Sequence, residues 1–553
     1  MSILQSAYSP GVTEDNLKEE IIGLFAPSDE TVLAEKDVDA RISAVILAFL
    51  RAQKVSSDMD NAELTSCFRN SEIPGWPSGV DPYLDFLIGD VVTHSVHMSS
   101  PRCMGNMVCT PPYFVRPLTK LMLAMNQNLV KEEASKALAP YERQALAMMH
   151  RLVFGFSDDF YGQHIQDRES TLGILLSGGT LANLTALWSA RNASLGPSEG
   201  FEGIEKEGWQ AALHHHGFKG AVIIGSKLMH YSVDKAADLL GIGSRNVINL
   251  PVDEKNRVQL RALSKALLEC RARNQHVIAV VGLAGGTDFG SVDPLAEMAE
   301  LAAEYQTCFH VDAAWGGPLL FSDRHRAKLA GIELADSVTI DGHKQMFLPI
   351  GMGVLILRDP RRANAIQKQA PYTIRADSSD LGKRALEGSR AGTALLLHAA
   401  LQIIGKRGYE FLIDEAIRKA RYMADAIRAR ANFELLAEPE TNIVVYRYLP
   451  GGWVQKAARG ELTDSDNRVI DLINKRLQDA QWRAGNTFVA RTTVELISRN
   501  RQVTLIALRA VVGNPLTTED DIDEVLADQM RIAEGWNISD GDVAEALSAP
   551  TSD

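Results

Sequence analysis

Five cysteines in 553 residues are few, and Cys67, Cys103, Cys109, Cys270 and Cys308 include no CxxC pair. So sparse and odd a set argues against a disulfide framework and fits a reducing compartment. Long hydrophobic runs are missing too. The longest, AVILAFL at 44–50, is far too short to span a bilayer. The opening residues, MSILQSAYSPGVTEDNL, have neither a basic start nor an apolar stretch, so no secretory signal is read there. Basic charge is in deficit: Lys and Arg number 57 against 70 Asp and Glu, a net charge of −13. Nucleic acids and anionic membranes are held by clustered cations, so neither is an expected partner. There is no internal repeat and no low-complexity tract. These absences leave a cytoplasmic globular protein as the expectation.

What remains is an ordinary core-forming composition, 46% hydrophobic and 23% charged. At roughly 100–200 residues per domain, the length suggests about three structural units. Residues 1–115 read as an N-terminal helical and loop segment; DVDARISAVILAFLRAQ (37–53) has helical periodicity, whereas SSPRCMGNMVCTPPYF (99–114) is rich in turn residues. Residues 116–400 alternate short apolar runs with helical stretches. The runs are TLGILL (171–176), GAVIIG (220–225), HVIAVVG (276–282), CFHVDAA (308–314), SVTID (337–341) and GVLILR (353–358). Strands apolar on both faces predict a mostly parallel sheet covered by helices, an α/β domain. Residues 401–553 read as a smaller α+β domain, with strands near NIVVYRY (442–448) and VTLIALRAVV (503–512). A last helix is expected after a cap at Thr517 or Thr518, followed by a frayed tail.

Ligands of such sheets bind at the carboxyl ends of the strands. Lys344 sits there, in SVTIDGHKQMF. A lysine at a strand end can simply snorkel to solvent. One partly desolvated beside a binding crevice can instead be a nucleophilic amine, and its natural partner is an aldehyde. Asp312 ends another apolar run, 32 residues earlier in FHVDAAWGG. A buried acid needs a positive or hydrogen-bonding partner; a nearby arginine would serve, and so would the protonated ring of a pyridoxal cofactor. Ala313 and Ala314 are small enough for a flat ring to lie close. In LSGGTLANL, the Gly-Gly turn before a helix makes an anion site at Gly179 and Thr180, and no GK[ST] follows to make it a P-loop. His230, in KLMHYSVDKAA, could stack on a ring or move a proton. The HHH at 214–216 lacks partner ligands and reads as a solvated loop, so no metal is expected. Thr287, in the glycine-rich loop GLAGGTDFG, could reach a cofactor.

SGGT, HYSVDKAA, HVDAAWGG, ADSVTIDGHK, EGSRAG and LRAVVGNP occur in this order over about residues 95–535. In this combination the chain resembles the group II pyridoxal-phosphate-dependent amino-acid decarboxylases, which include glutamate and aromatic amino-acid decarboxylases. Within them it is most similar to the bacterial branch of pyridoxal-dependent aspartate 1-decarboxylases, which make β-alanine. The resemblance implies a type I aminotransferase-like fold: a large domain with a mostly parallel seven-stranded sheet, an N-terminal segment and a small C-terminal domain. It implies pyridoxal 5'-phosphate held by Lys344 as a Schiff base. Asp312 would pair with the ring nitrogen, and Ala314 and His230 would lie on the two ring faces. Gly179, Thr180 and His343 would contact the phosphate. Tyr372, in QAPYTIRADSSD, falls where the family carries a mobile loop with a catalytic tyrosine reaching the partner subunit. That implies a homodimer with its site near the interface and residues 1–115 as a contact. Arg509 matches an arginine that receives the substrate's side-chain carboxylate, Arg390 is a second cationic candidate, and Asn106 marks a loop near the substrate. Relatives often carry a second threonine where this chain has Gly286, and often a histidine near Asn106.

Lys344, His230 and Tyr372 are therefore the expected catalytic set, acting on a small acidic amino acid. L-Aspartate is the expected substrate. L-Glutamate, one methylene longer, is the alternative, as is another pyridoxal-dependent lyase or aminotransferase on the same fold. A binding protein that has lost catalysis should lack Lys344 or Asp312, and both are present.

Overall fold

The computed structural model describes residues 13–25, 28–370, 378–498 and 501–536. The chain divides into two compact units, each assembled from separated stretches. One draws on Met1–Asn106, Glu461–Arg491 and Leu516–Asp553, the other on Met107–Gly460 and Thr492–Pro515. The three consecutive segments 1–115, 116–400 and 401–553 are thus regrouped, because the last two helices leave the small sheet to join the N-terminal residues.

The larger unit holds a seven-stranded sheet in the order β1-β7-β6-β5-β4-β2-β3. Its strands are β1 (Gly173–Leu176), β2 (Gly220–Ser226), β3 (Val247–Leu250), β4 (Gln275–Leu283), β5 (Cys308–Asp312), β6 (Ser337–Asp341) and β7 (Gly353–Leu357). Neighbours from β6 through β5, β4 and β2 to β3 pair in parallel. Only β7 runs the other way, antiparallel to both β1 and β6. Both faces are covered, which is why the strands read as unbroken apolar runs. Helices α1 (Leu138–Phe154), α2 (Gly179–Ser194), α3 (Ser232–Leu239), α4 (Leu260–Ala272), α5 (Leu295–Glu304) and α6 (Gly405–Arg428) do the covering. Alternation along the strands sorts the core. Ile174, Leu176, Ile223 and Val281 meet α2 through Ala182, Ala186, Leu184 and Leu187. Leu175, Val222, Ile224 and Val280 face the opposite layer, with Leu146, Leu263, Met298 and Ile413.

A four-stranded sheet in the order β10-β11-β9-β8 completes this unit, from β8 (Phe433–Leu435), β9 (Ile443–Tyr448), β10 (Ala490–Ser498) and β11 (Arg501–Val511). It shares an apolar cluster with Phe289 and Trp315, and Trp315 Nε1 donates to Asn442 Oδ1 at 3.0 Å.

The other unit is helical. Helix Asp29–Leu50 begins at Ser28, whose hydroxyl accepts from the Thr31 N–H, and buries none of its residues. Helices Asp464–Ala484 and Glu519–Glu534 both open on capping boxes, Thr463 with Asp466 and Thr518 with Asp521, so each satisfies two N-terminal donors reciprocally. Among the described residues no helix is long and apolar enough to cross a membrane, and all five cysteines are unpaired.

Candidate active site

The carboxyl ends of β1, β2, β4, β5 and β6 open into one cavity of about 320 Å³, within the larger unit. Each strand delivers its polar residues at or just past its end. β1 runs into Ser177–Thr180, β5 ends on Asp312, and β6 ends on Asp341, with His343 and Lys344 on the following turn. His230 and Tyr231 come from the connection between β2 and α3, and Gly285, Gly286 and Thr287 from the loop after β4. Of the residues expected from sequence, Gly179, Thr180, His230, Thr287, Asp312, Ala314, His343 and Lys344 all line this one space.

Lys344 Nζ lies 3.2 Å from Asp341 Oδ2, and His343 Nε2 lies 3.9 Å from the same oxygen. The other oxygen, Asp341 Oδ1, is buried and has no hydrogen-bond partner among the described residues. His343 Nδ1 faces the Met352 carbonyl at 3.1 Å. A carbonyl only accepts, so this nitrogen carries a proton. Asp312 is buried and held at both oxygens: Ala314 N–H donates to Oδ1 at 3.1 Å and Asn183 Nδ2 to Oδ2 at 2.8 Å. His230 Nδ1 accepts from the Ser232 N–H at 3.3 Å, which puts its proton on Nε2. Burial is the main cause lowering the His230 pKa; Lys344 lowers it further, while Asp312 and Asp341 oppose. The imidazole is neutral near pH 7 and available to stack or to pass a proton.

The turn after β1 is built for an anion. Gly178 opens α2 at φ 152°, and the first turn of the helix presents unpaired N–H groups. A Cβ placed on Gly179 would stand 2.7 Å from Asp341 Oδ2, so a side chain there would have to displace that carboxylate. Ser177 N–H donates to Glu387 Oε2 at 3.2 Å, and its hydroxyl bonds the same carboxylate.

The remaining expectations divide. Arg509, on β11, is outside the cavity lining but bonds its wall: Nη1 donates to the Thr287 carbonyl at 2.9 Å, and Nε is buried without a partner among the described residues. Arg390 is taken up elsewhere, giving both Nη groups to Glu142 on α1 at 2.7 and 2.5 Å. Asn106 is an exposed residue of the smaller unit and is not part of the lining. Tyr372 lies outside the described residues. His214, His215 and His216 assemble no metal cluster, and no group of three metal-ligating side chains occurs among the described residues.

Sequence reading missed Asp341, Asn183, His310, Ser232 and Glu387. Two of them were visible in outline. Asp341 stands three residues before Lys344, the spacing that brings side chains together on a tight turn. His310 stands two before Asp312, on the same side of β5.

An amine, an acid fixed at a strand end, a neutral imidazole and a glycine-opened helix converge on one cavity large enough for a small cofactor. The orphaned Asp341 oxygen and the glycine cradle show a site shaped to receive a further group. These features fit pyridoxal phosphate. Residues 88–449 match the pyridoxal-dependent decarboxylase conserved domain, and the chain belongs to that family. In sequence it is 43% identical over 535 residues to an aspartate 1-decarboxylase of Aliivibrio fischeri, covering 95% of this chain and 96% of that one. It is 28% identical to an L-2,4-diaminobutyrate decarboxylase of Acinetobacter baumannii over 82% of this chain and 84% of that one. The fold matches the crystal structure of mouse CSAD in apo form, with a TM-score of 0.79 at 22% identity over 91% of this chain and all of that one. It also matches the glutamate decarboxylase domain of a diaminobutyrate-pyruvate transaminase and L-2,4-diaminobutyrate decarboxylase from Vibrio parahaemolyticus. There the TM-score is 0.76 at 21% identity, covering 92% of this chain and 98% of that one.

Proposed function

We propose that this enzyme removes the α-carboxylate of L-aspartate, giving β-alanine and carbon dioxide, with pyridoxal phosphate as its cofactor. The observation that carries the chemistry is the sharing of one cavity by Lys344 and Asp312, from the adjacent strands β6 and β5. The substrate follows from the likeness to the Aliivibrio fischeri aspartate 1-decarboxylase, which extends across nearly the whole of both chains.

Pyridoxal phosphate, when bound, supplies an electron sink for the pair left at Cα as carbon dioxide departs. Lys344 would be the amine that holds it. Asp341, 3.2 Å from Nζ, is the nearest acceptor for the proton that Lys344 must lose to become nucleophilic. Asp312 would hold the ring nitrogen in its protonated form, as a fixed charge that needs no reorganisation during reaction. Gly179, Thr180 and His343 would hold the phosphate. Ala314 and His230 would flank the ring. His230 or Tyr372 returns one proton to Cα, which balances the loss of carbon dioxide. Arg509 receives the side-chain carboxylate with the donors that Thr287 leaves unused. An apolar substrate would strand that half-buried cation and be rejected. The working form is a cytoplasmic homodimer; Phe25, Leu33 and Leu47, exposed at 81%, 65% and 49%, are apolar surface for a second copy to cover.

The test has two arms. Purified holoenzyme should be yellow, absorbing near roughly 420 nm, and Lys344→Ala should lose both that band and carbon dioxide release. Across aspartate, glutamate, cysteine sulfinate and aromatic amino acids, aspartate should show the highest kcat/KM. Higher kcat/KM with glutamate would overturn the substrate, and an unchanged band in Lys344→Ala would overturn the site.

A further inference from the structure

Behind Asp312 lies a file of buried side chains that the reaction as described does not use. Ser337 Oγ is 2.8 Å from His310 Nδ1, and His310 Nε2 is 3.0 Å from Asn183 Oδ1. Asn183 Nδ2 is 2.8 Å from Asp312 Oδ2 and 3.0 Å from Ser232 Oγ. Ser337, His310, Asn183 and Ser232 are all buried, from β6, β5, α2 and α3 respectively.

Chemistry fixes the direction of every bond. An ionised carboxylate only accepts, so the amide NH2 of Asn183 faces Asp312 and its oxygen faces His310. An amide oxygen only accepts, so His310 carries its proton on Nε2. Nδ1 is then the acceptor, and the Ser337 hydroxyl donates to it. Burial pushes the His310 pKa well below its ordinary value, so the ring stays neutral. The dipoles therefore run head to tail from Ser337 to Asp312, and such chains polarise one another in a low dielectric.

An asparagine amide by itself can sit either way round. Turned over, Asn183 would aim its oxygen at the Asp312 carboxylate and set its NH2 against the N–H of His310. His310 with its proton on Nε2 opposes that arrangement, which would need the ring to move its proton to Nδ1 and the Ser337 hydroxyl to turn into an acceptor. Because the same NH2 meets Ser232, whose N–H donates to His230 Nδ1, one amide direction orders both Asp312 and His230.

We propose that His310 is a positioning residue for the decarboxylation: by fixing the direction of the Asn183 amide, it holds Asp312 ionised toward the ring nitrogen of the cofactor. This rests on the reading that Asp312 faces that nitrogen, and the experiment separates the two. Wild type, His310→Leu, His310→Gln, Ser337→Ala and Asp312→Asn are loaded with pyridoxal phosphate labelled with nitrogen-15 in the ring. The ring-nitrogen chemical shift, the cofactor dissociation constant, kcat and KM are then measured. The wild-type ring should be protonated. His310→Leu, and to a lesser degree Ser337→Ala, should move the shift toward the unprotonated value. In His310→Leu, kcat should fall by roughly ten- to a hundredfold, the worth of one hydrogen bond to a charged group, with KM changed far less. His310→Gln keeps an amide donor for Asn183 and should recover most of the loss. Should His310→Leu fail to fold, Ser337→Ala decides, because it removes only the terminal hydroxyl. If Asp312→Asn moves the nitrogen shift but neither His310→Leu nor Ser337→Ala does, the positioning role is overturned. If Asp312→Asn also leaves it at the wild-type value, the reading of Asp312 itself has failed.

Discussion

Two arginines show how much a single guanidinium's surroundings decide. Arg390 and Glu142 form a forked pair with side-chain exposures of 9% and 1%. Removing the acid in Glu142→Ala leaves a buried cation unpaired, which should cost about 3–5 kcal/mol of stability, read as a lower denaturation midpoint. Arg509 keeps donors beyond the Thr287 carbonyl, so Arg509→Ala should raise KM for aspartate by roughly tenfold or more, with a smaller change in kcat, in steady-state assays. Neither environment could be read from the sequence, where both residues are cations in glycine-containing stretches. Lys344 and Asp312 were legible because a charged residue rarely closes an apolar run without a ligand or a partner to hold it there. Asn183 was not, since a polar residue inside a buried helix reads as an ordinary tolerated substitution until its partners are placed.

Among the elements, the start of α2 carries the sharpest constraint. Gly179 leaves room for Asp341 and for an anion at the same turn, and Gly179→Ala would drive a methyl group to 2.7 Å from Asp341 Oδ2. The turn or the Asp341 carboxylate must shift, and affinity for pyridoxal phosphate should fall at least about tenfold in a spectroscopic titration, equivalent to about 1.4 kcal/mol. The central strands were readable because burial on both faces writes them as continuous apolar runs. β3 (VINL) and β10 (ARTTVELIS) escaped notice: they are short or alternate with polar residues, as half-exposed strands do. The cap of the last helix was narrowed to two threonines, and its capping box selects Thr518.

Across the whole molecule, buried titratable groups set the response to acid. Burial lowers His150 and His276 to about 4 and also pushes His310 down, all from an ordinary 6.5. It raises Asp293 from 3.8 to about 6. Between about pH 6 and 4 the unfolded chain binds three protons, on these histidines, that the folded chain refuses. The folded chain keeps one, on Asp293, that the unfolded chain releases. Three less one leaves a net uptake of protons on unfolding, so stability should drop as pH falls through that window. Urea denaturation at pH 7, 6 and 5 measures it, and a flat or rising midpoint on acidification would contradict it. The reversed strand β7 bears on a different timescale. β1 lies at the edge of the sheet and pairs with β7 alone, although about 180 residues separate them in the chain. On the ribosome, the first strand made must wait for the last before it can dock. The anion-binding turn that β1 carries is therefore assembled only after Lys344 has already emerged, and the enzyme acquires its cofactor site late, as nearly the final act of closing the sheet.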